Sequence, residues 1–156
     1  MRRGASPWLW IALLAPGPLP ACAEGGGPTM HADVLAVETA GPSGALRFRV
    51  TLQSPDEGCS RYADWWEVIH PDGALTFRRI LRHSHPDEQP FTRDGGPIAI
   101  GRNQVVIVRG HMHPTGYGGV AFRGSADTGF SPWRNGAEEF ASGLEDLPPQ
   151  PDRCLF

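Results

Sequence analysis

The strongest constraint on this chain is its punctuation. From residue 31 to residue 123, extended-type runs are cut by Gly41-Pro42-Ser43-Gly44, Ser54-Pro55-Asp56-Glu57-Gly58, Pro71-Asp72-Gly73 and Asp94-Gly95-Gly96-Pro97. Pro presets φ for a turn, and Gly or Asp tolerates positive φ, so each cluster ends a run instead of prolonging it. The runs between them predict strands over 31–38, 46–52, 65–70, 75–82, 97–100, 104–111 and 119–123. Pro71-Asp72-Gly73 joins two of these and reads as a hairpin.

Seven short strands without an amphipathic helix among them predict an all-β fold, an immunoglobulin/fibronectin-like β-sandwich, with a small Greek-key β-barrel as the alternative. A helical segment is expected only at 136–144, ahead of Pro148-Pro149-Gln150-Pro151, which cannot continue a helix. In 46–52 strict alternation sends Leu46, Phe48, Val50 and Leu52 inward and Arg47, Arg49 and Thr51 outward. Both faces are apolar over 105–108, as in a strand covered on two sides. The expected core is Phe48, Val50, Trp66, Val68, Phe77, Leu81, Val106 and Val108.

With 156 residues there is room for one domain, too little for an α/β barrel. The net charge of -3 gives no footing for a nucleic-acid partner. All 14 basic side chains are Arg, so Schiff-base chemistry and a Lys phosphate clamp are excluded, and the arginines are expected mostly as solvated surface.

The N-terminus is organised differently. Arg2-Arg3, the apolar run from Trp8 to Ala15 and then Leu19-Pro20-Ala21-Cys22-Ala23 have the charged, apolar, small-residue order of a secretory signal. The apolar run is too short to span a bilayer. Ala21-Cys22-Ala23 fits ordinary cleavage before Glu24; Leu19-Pro20-Ala21-Cys22 also resembles a lipobox, in which Cys22 would be acylated and become the mature N-terminus. The expected organisation is a signal over 1–23, a Gly-rich tether over 24–30 and one domain over 31–156. The protein would be periplasmic or secreted, touching a membrane only through lipidation at Cys22. Cys59 and Cys154 then remain as an even pair in an oxidising compartment and are expected to form a disulfide.

The histidines are the one constellation that suggests chemistry. His83-Ser84-His85-Pro86 and His111-Met112-His113-Pro114 each end a strand, and on an extended chain residues i and i+2 point to one side. If the two strands run the same way, His83, His85, His111 and His113 share a rim that could bind copper or zinc, with Met112 or Met30 as a soft ligand. In Tyr62-Ala63-Asp64-Trp65-Trp66-Glu67, Trp66 is expected in the core and Trp65 exposed or under a loop. An exposed Trp65 or Trp133 could stack against a sugar or a partner. Asp64, Glu67 and Asp87-Glu88 default to solvated surface.

The chain has no Gly-x-Ser-x-Gly elbow, His-Glu-x-x-His helix or phosphate-binding glycine loop. No catalytic residue is therefore assigned. The expected function is an exported, non-catalytic binding or accessory domain for a protein or small ligand; the alternative is a copper- or zinc-binding protein built on the paired histidines.

Overall fold

A computed structural model describes Met1 and residues 30–134 and 139–155. The signal, the tether to residue 29, Cys22 and the first part of the expected helix, 136–138, lie outside the described residues.

Eight strands, β1 (Asp33–Ala40), β2 (Leu46–Gln53), β3 (Tyr62–Ile69), β4 (Leu75–Ile80), β5 (Phe91–Ile98), β6 (Val106–His113), β7 (Ala121–Ser125) and β8 (Gly129–Trp133), form two antiparallel sheets. Their orders are β1-β2-β5 and β4-β3-β6-β7-β8. This is the expected sandwich, and the barrel alternative is not formed. Its core lies between the sheets, where Phe48, Val50 and Leu52 of β2 meet Trp66, Val68, Val106 and Val108, all buried. Leu81 joins this core, and Phe77 packs against it partly buried. Alternation in β2 is as expected: Arg47 and Arg49 are exposed between buried neighbours. Trp66 is accommodated because its indole lies over Gly95, where an added Cβ would fall 2.5 Å from the ring.

The β3–β4 hairpin closes as its sequence demands. His70 N donates to Ala74 O at 2.9 Å and Gly73 N to His70 O at 2.8 Å, with Gly73 at φ 93°. Three elements depart from expectation. β5 begins at Phe91 rather than 97 and runs through Asp94-Gly95-Gly96-Pro97, expected as a turn, because Thr92, Arg93 and Asp94 pair with Thr51, Val50 and Arg49 of β2. An eighth strand, Gly129–Trp133, carries Pro132, which the outermost position of a sheet tolerates. In place of the expected helix, the described part of that segment runs as turns into a short 3-10 helix, Ser142–Asp146.

Residues 139–155 do not extend either sheet but cross the outer face of the larger one. A disulfide between Cys59 and Cys154 ties down the end of this strap across a separation of 95 residues. Leu155 N also donates to Arg82 O at 2.6 Å.

Candidate functional site

The residues facing away from the core on β3 and β6 build the most unusual part of the molecule. Pairing across β4, β3 and β6 sets Arg78, Glu67 and Arg109 side by side. Glu67, expected on a solvated surface, is fully buried. Both its oxygens are engaged: Oε2 accepts from Arg78 Nε at 2.9 Å and Nη2 at 2.7 Å, and Oε1 accepts from Arg109 Nε at 2.8 Å. A buried carboxylate is tolerable only with such partners.

The two arginines, also expected at the surface, spend their remaining donors on the strap. Arg78 donates to the carbonyls of Leu144 and Leu147, both at 2.6 Å, and to that of Pro149 at 3.1 Å. Arg109 donates to the carbonyls of Phe140 and Ala141. A guanidinium has five donors in a fixed fork, so one residue can satisfy a carboxylate and several carbonyls together. Beside this network a small apolar cluster of Ile69, Ile107, Ala121 and Leu144 seals the strap to the sheet.

Toward the His113 end of β6 the network opens into a cleft. Trp65 is 3% exposed, which corrects the expectation of an exposed stacking surface. The alternative, burial beneath a loop, is what occurs. Its ring carries the His111 imidazole at 3.7 Å, nearly parallel, and the Arg78 guanidinium at 4.4 Å. His111 Nδ1 lies 2.6 Å from Asp64 Oδ1. Against an ionised carboxylate that nitrogen is the donor, and a neutral ring then keeps its acceptor lone pair on Nε2. Tyr117 meets the His111 ring edge-on at 4.8 Å and lies under the Arg109 guanidinium at 3.4 Å. Burial, and next the Glu67 carboxylate, push its phenol well above the ordinary range.

Two open cavities, of about 490 and 450 Å³, meet at His111 and Glu145. The first is walled by Tyr62, Asp64, Trp65 and His113 against the strap; the second by Thr115, Tyr117 and Ser142. Trp133, the other expected stacking residue, lies apart from this cleft, partly buried and edge-on to Phe140 at 5.4 Å.

The four histidines do not converge. β4 and β6 both pair antiparallel with β3 and so run the same way, as expected. His83 nevertheless lies beyond the end of β4, bridged to Leu155, and His85 is turned inward, 8% exposed and stacked on Phe91 at 4.1 Å. His85 N is fixed by Asp56 Oδ2 at 2.7 Å. Among the described residues, no three His, Cys, Asp or Glu side chains are placed to hold a metal ion.

Sequence reasoning missed Glu67, Arg78, Arg109 and Tyr117. A signal was present: both faces of 105–108 read as apolar, so something had to cover the outer one, and Phe140, Leu144 and Leu147 in the tail were available to do so.

Comparison with known proteins adds one relative. Over 85 residues, 54% of this chain, the sequence is 40% identical to a Halomicrobium mukohataei protein named "Putative lipoprotein". The match spans 42% of that protein's length. No family model matches the chain, and no solved structure matches it.

Proposed function

We propose that the chain is an exported, lipid-anchored accessory domain of the cell envelope that binds a protein or small ligand in the cleft around His111. Export and anchoring are supported by the signal-like N-terminus, by Leu19-Pro20-Ala21-Cys22 and by the name of the Halomicrobium relative. The Cys59–Cys154 disulfide suits an oxidising compartment. Among the described residues no helix is long and apolar enough to cross a membrane.

The observation that carries the binding half is the cleft. Its aromatic and ionic wall is held rigid from behind by Glu67, Arg78 and Arg109, while its polar lining faces solvent.

Two measurements test the reading. The mature protein should begin at Cys22 with an acyl mass and partition into detergent, and Cys22→Ser should remain aqueous; an unmodified start at Glu24 would overturn the anchor. A photo-crosslinking residue at Glu145, on the cleft, should give a discrete adduct in cells, and one at Glu38, on β1, should not. Equal labelling from both positions would overturn the cleft as the contact surface.

A further inference from the structure

The sandwich is closed differently on its two sides. On one, Val34 N donates to Val120 O at 2.8 Å and Asp33 Oδ1 accepts from Val120 N at 2.6 Å, lacing β1 to the chain ahead of β7. On the other, the outermost strands β4 and β5 face each other across a cavity of about 220 Å³. Its polar lining consists of Arg79, Arg82, His83, His85 and Arg93, with Ile80 and Leu81 completing the wall.

The carboxylates that these side chains reach lie outside the cavity lining. A guanidinium only donates, and an imidazole in either protonation state keeps at least one N–H to donate. Glu88 holds Arg93 at 3.1 and 2.8 Å, and Asp152 lies 3.6 Å from Arg82, but both carboxylates are largely exposed and neither lines the cavity. Arg79 donates to the carbonyls of Asp94 and Ile80 through Nε and Nη1, which leaves Nη2 uncommitted. His85 is the most constrained member. Its side chain is 8% exposed, its ring is fixed on Phe91, and its Nδ1 is buried without a hydrogen bond, 3.7 Å from Asp56 Oδ2. A pocket walled by donors fits an occupant that only accepts.

We propose that this cavity is a site for a small oxyanion, a phosphate or sulfate group, gripped by Arg79, Arg82 and His83 with His85 on its floor. Forked guanidinium donors match the oxygens of a tetrahedral anion, and the volume is several times that of one water. A free anion and a phospholipid headgroup offer the same chemistry, so the test separates them. The site is distinct from the His111 cleft and does not depend on the function proposed above.

The experiment uses the Cys22→Ser chain, which cannot be anchored. Calorimetric titration with sodium sulfate and sodium phosphate at low ionic strength, with chloride as control, should show saturable binding of one anion per chain. Replacing the exposed pair, Arg82→Gln with His83→Gln, should weaken it at least tenfold while leaving the unfolding transition in place. Phosphatidylglycerol vesicles that bind the chain in preference to phosphatidylcholine, with competition by sulfate, would support the site with a headgroup as its source. Sulfate binding without vesicle preference would support it with a free anion. Absence of saturable binding, or binding undiminished in the double variant, would overturn the proposal and leave the arginines as charges that deter strand addition at an open edge.

Discussion

The two faces of the five-stranded sheet are buried by different means. On the inner face Trp66, Val68, Val106 and Val108 meet a second sheet through apolar contact. On the outer face of the same strands a single pass of chain is held over Glu67 by Arg78 and Arg109, largely through its own carbonyls. Apolar burial is non-directional and tolerates repacking, whereas a buried ion network works only when every member is present. The inner face thus sets the fold, and the outer face sets where the tail lies and what the cleft presents.

The largest effect should come from breaking the network at its centre. Glu67→Ala leaves two guanidinium groups without their carboxylate and should cost about 3–5 kcal/mol in urea unfolding, as much as Phe48→Ala on the inner face. The two should differ in rescue. Replacing Glu67, Arg78 and Arg109 together by Leu or Met should restore most of the loss, because buried ion pairs seldom outperform well-packed apolar groups. No comparable rescue is expected for Phe48→Ala. A triple variant as unstable as Glu67→Ala would show that the strap depends on guanidinium–carbonyl bonds more than on coverage of the sheet.

That difference also explains what could be read from the sequence. β2 was legible because alternation in 46–52 reports a strand with one buried face, and the hairpin at Gly73 because turn chemistry is local. The disulfide was legible by parity. Glu67, Arg78 and Arg109 lie far apart in the chain and meet only through pairing of three strands, so each alone looks like a surface charge. β5 was misplaced for a related reason: Thr92, Arg93 and Asp94 carry no apolar signal and are strand only because β2 supplies partners. His85 was legible as part of a motif but not as a buried ring, since its inward turn depends on Asp56 and Phe91.

The disulfide should rank next. Cys59→Ser with Cys154→Ser removes a cross-link spanning 95 residues and should cost about 4.7 kcal/mol in the chain-entropy picture. Hydrogen exchange sharpens the comparison. Residues 151–155 should lose protection first, while amides of β3 and β6 beneath Arg78 and Arg109 keep theirs. Simultaneous loss along the whole strap would make the disulfide, not the arginines, its principal anchor.

Smaller effects should separate by pH. Burial, and next the Arg93 charge, hold the His85 imidazole below its ordinary 6.5. Below about pH 6.5 the unfolded chain therefore binds more protons, and stability falls with pH down to the folded value. Tyr117 behaves in the opposite sense. Its raised phenol contributes stability that is intact below pH 10 and is lost as pH rises further. Acid thus strains the β4–β5 edge and alkali the outer face, each by at most about 1.4 kcal/mol per pH unit per group. In unfolding series across pH, His85→Phe should flatten the acid limb and Tyr117→Phe most of the alkaline limb. Tyr62, also raised by burial, should leave a remainder. If either variant altered the other limb, the two regions would be coupled and the comparison would fail.

The smallest effect isolates burial from chemistry. Arg49 and Asp94 form the same kind of pair as Arg78 and Glu67, but their atoms stand 3.9 Å apart and the side chains are 61% and 64% exposed. Water already solvates both charges, so holding two mobile side chains together gains little beyond what salt would screen. Asp94→Asn should therefore shift stability by no more than about 0.5 kcal/mol, and the shift should vanish in high salt. Set against Glu67→Ala, it would contrast one solvated, loosely held pair with a buried carboxylate whose loss leaves two desolvated guanidinium groups behind. A loss at Asp94 comparable with that at Glu67 would mean that the smaller sheet too relies on ion pairing, and that the contrast between the faces is one of degree.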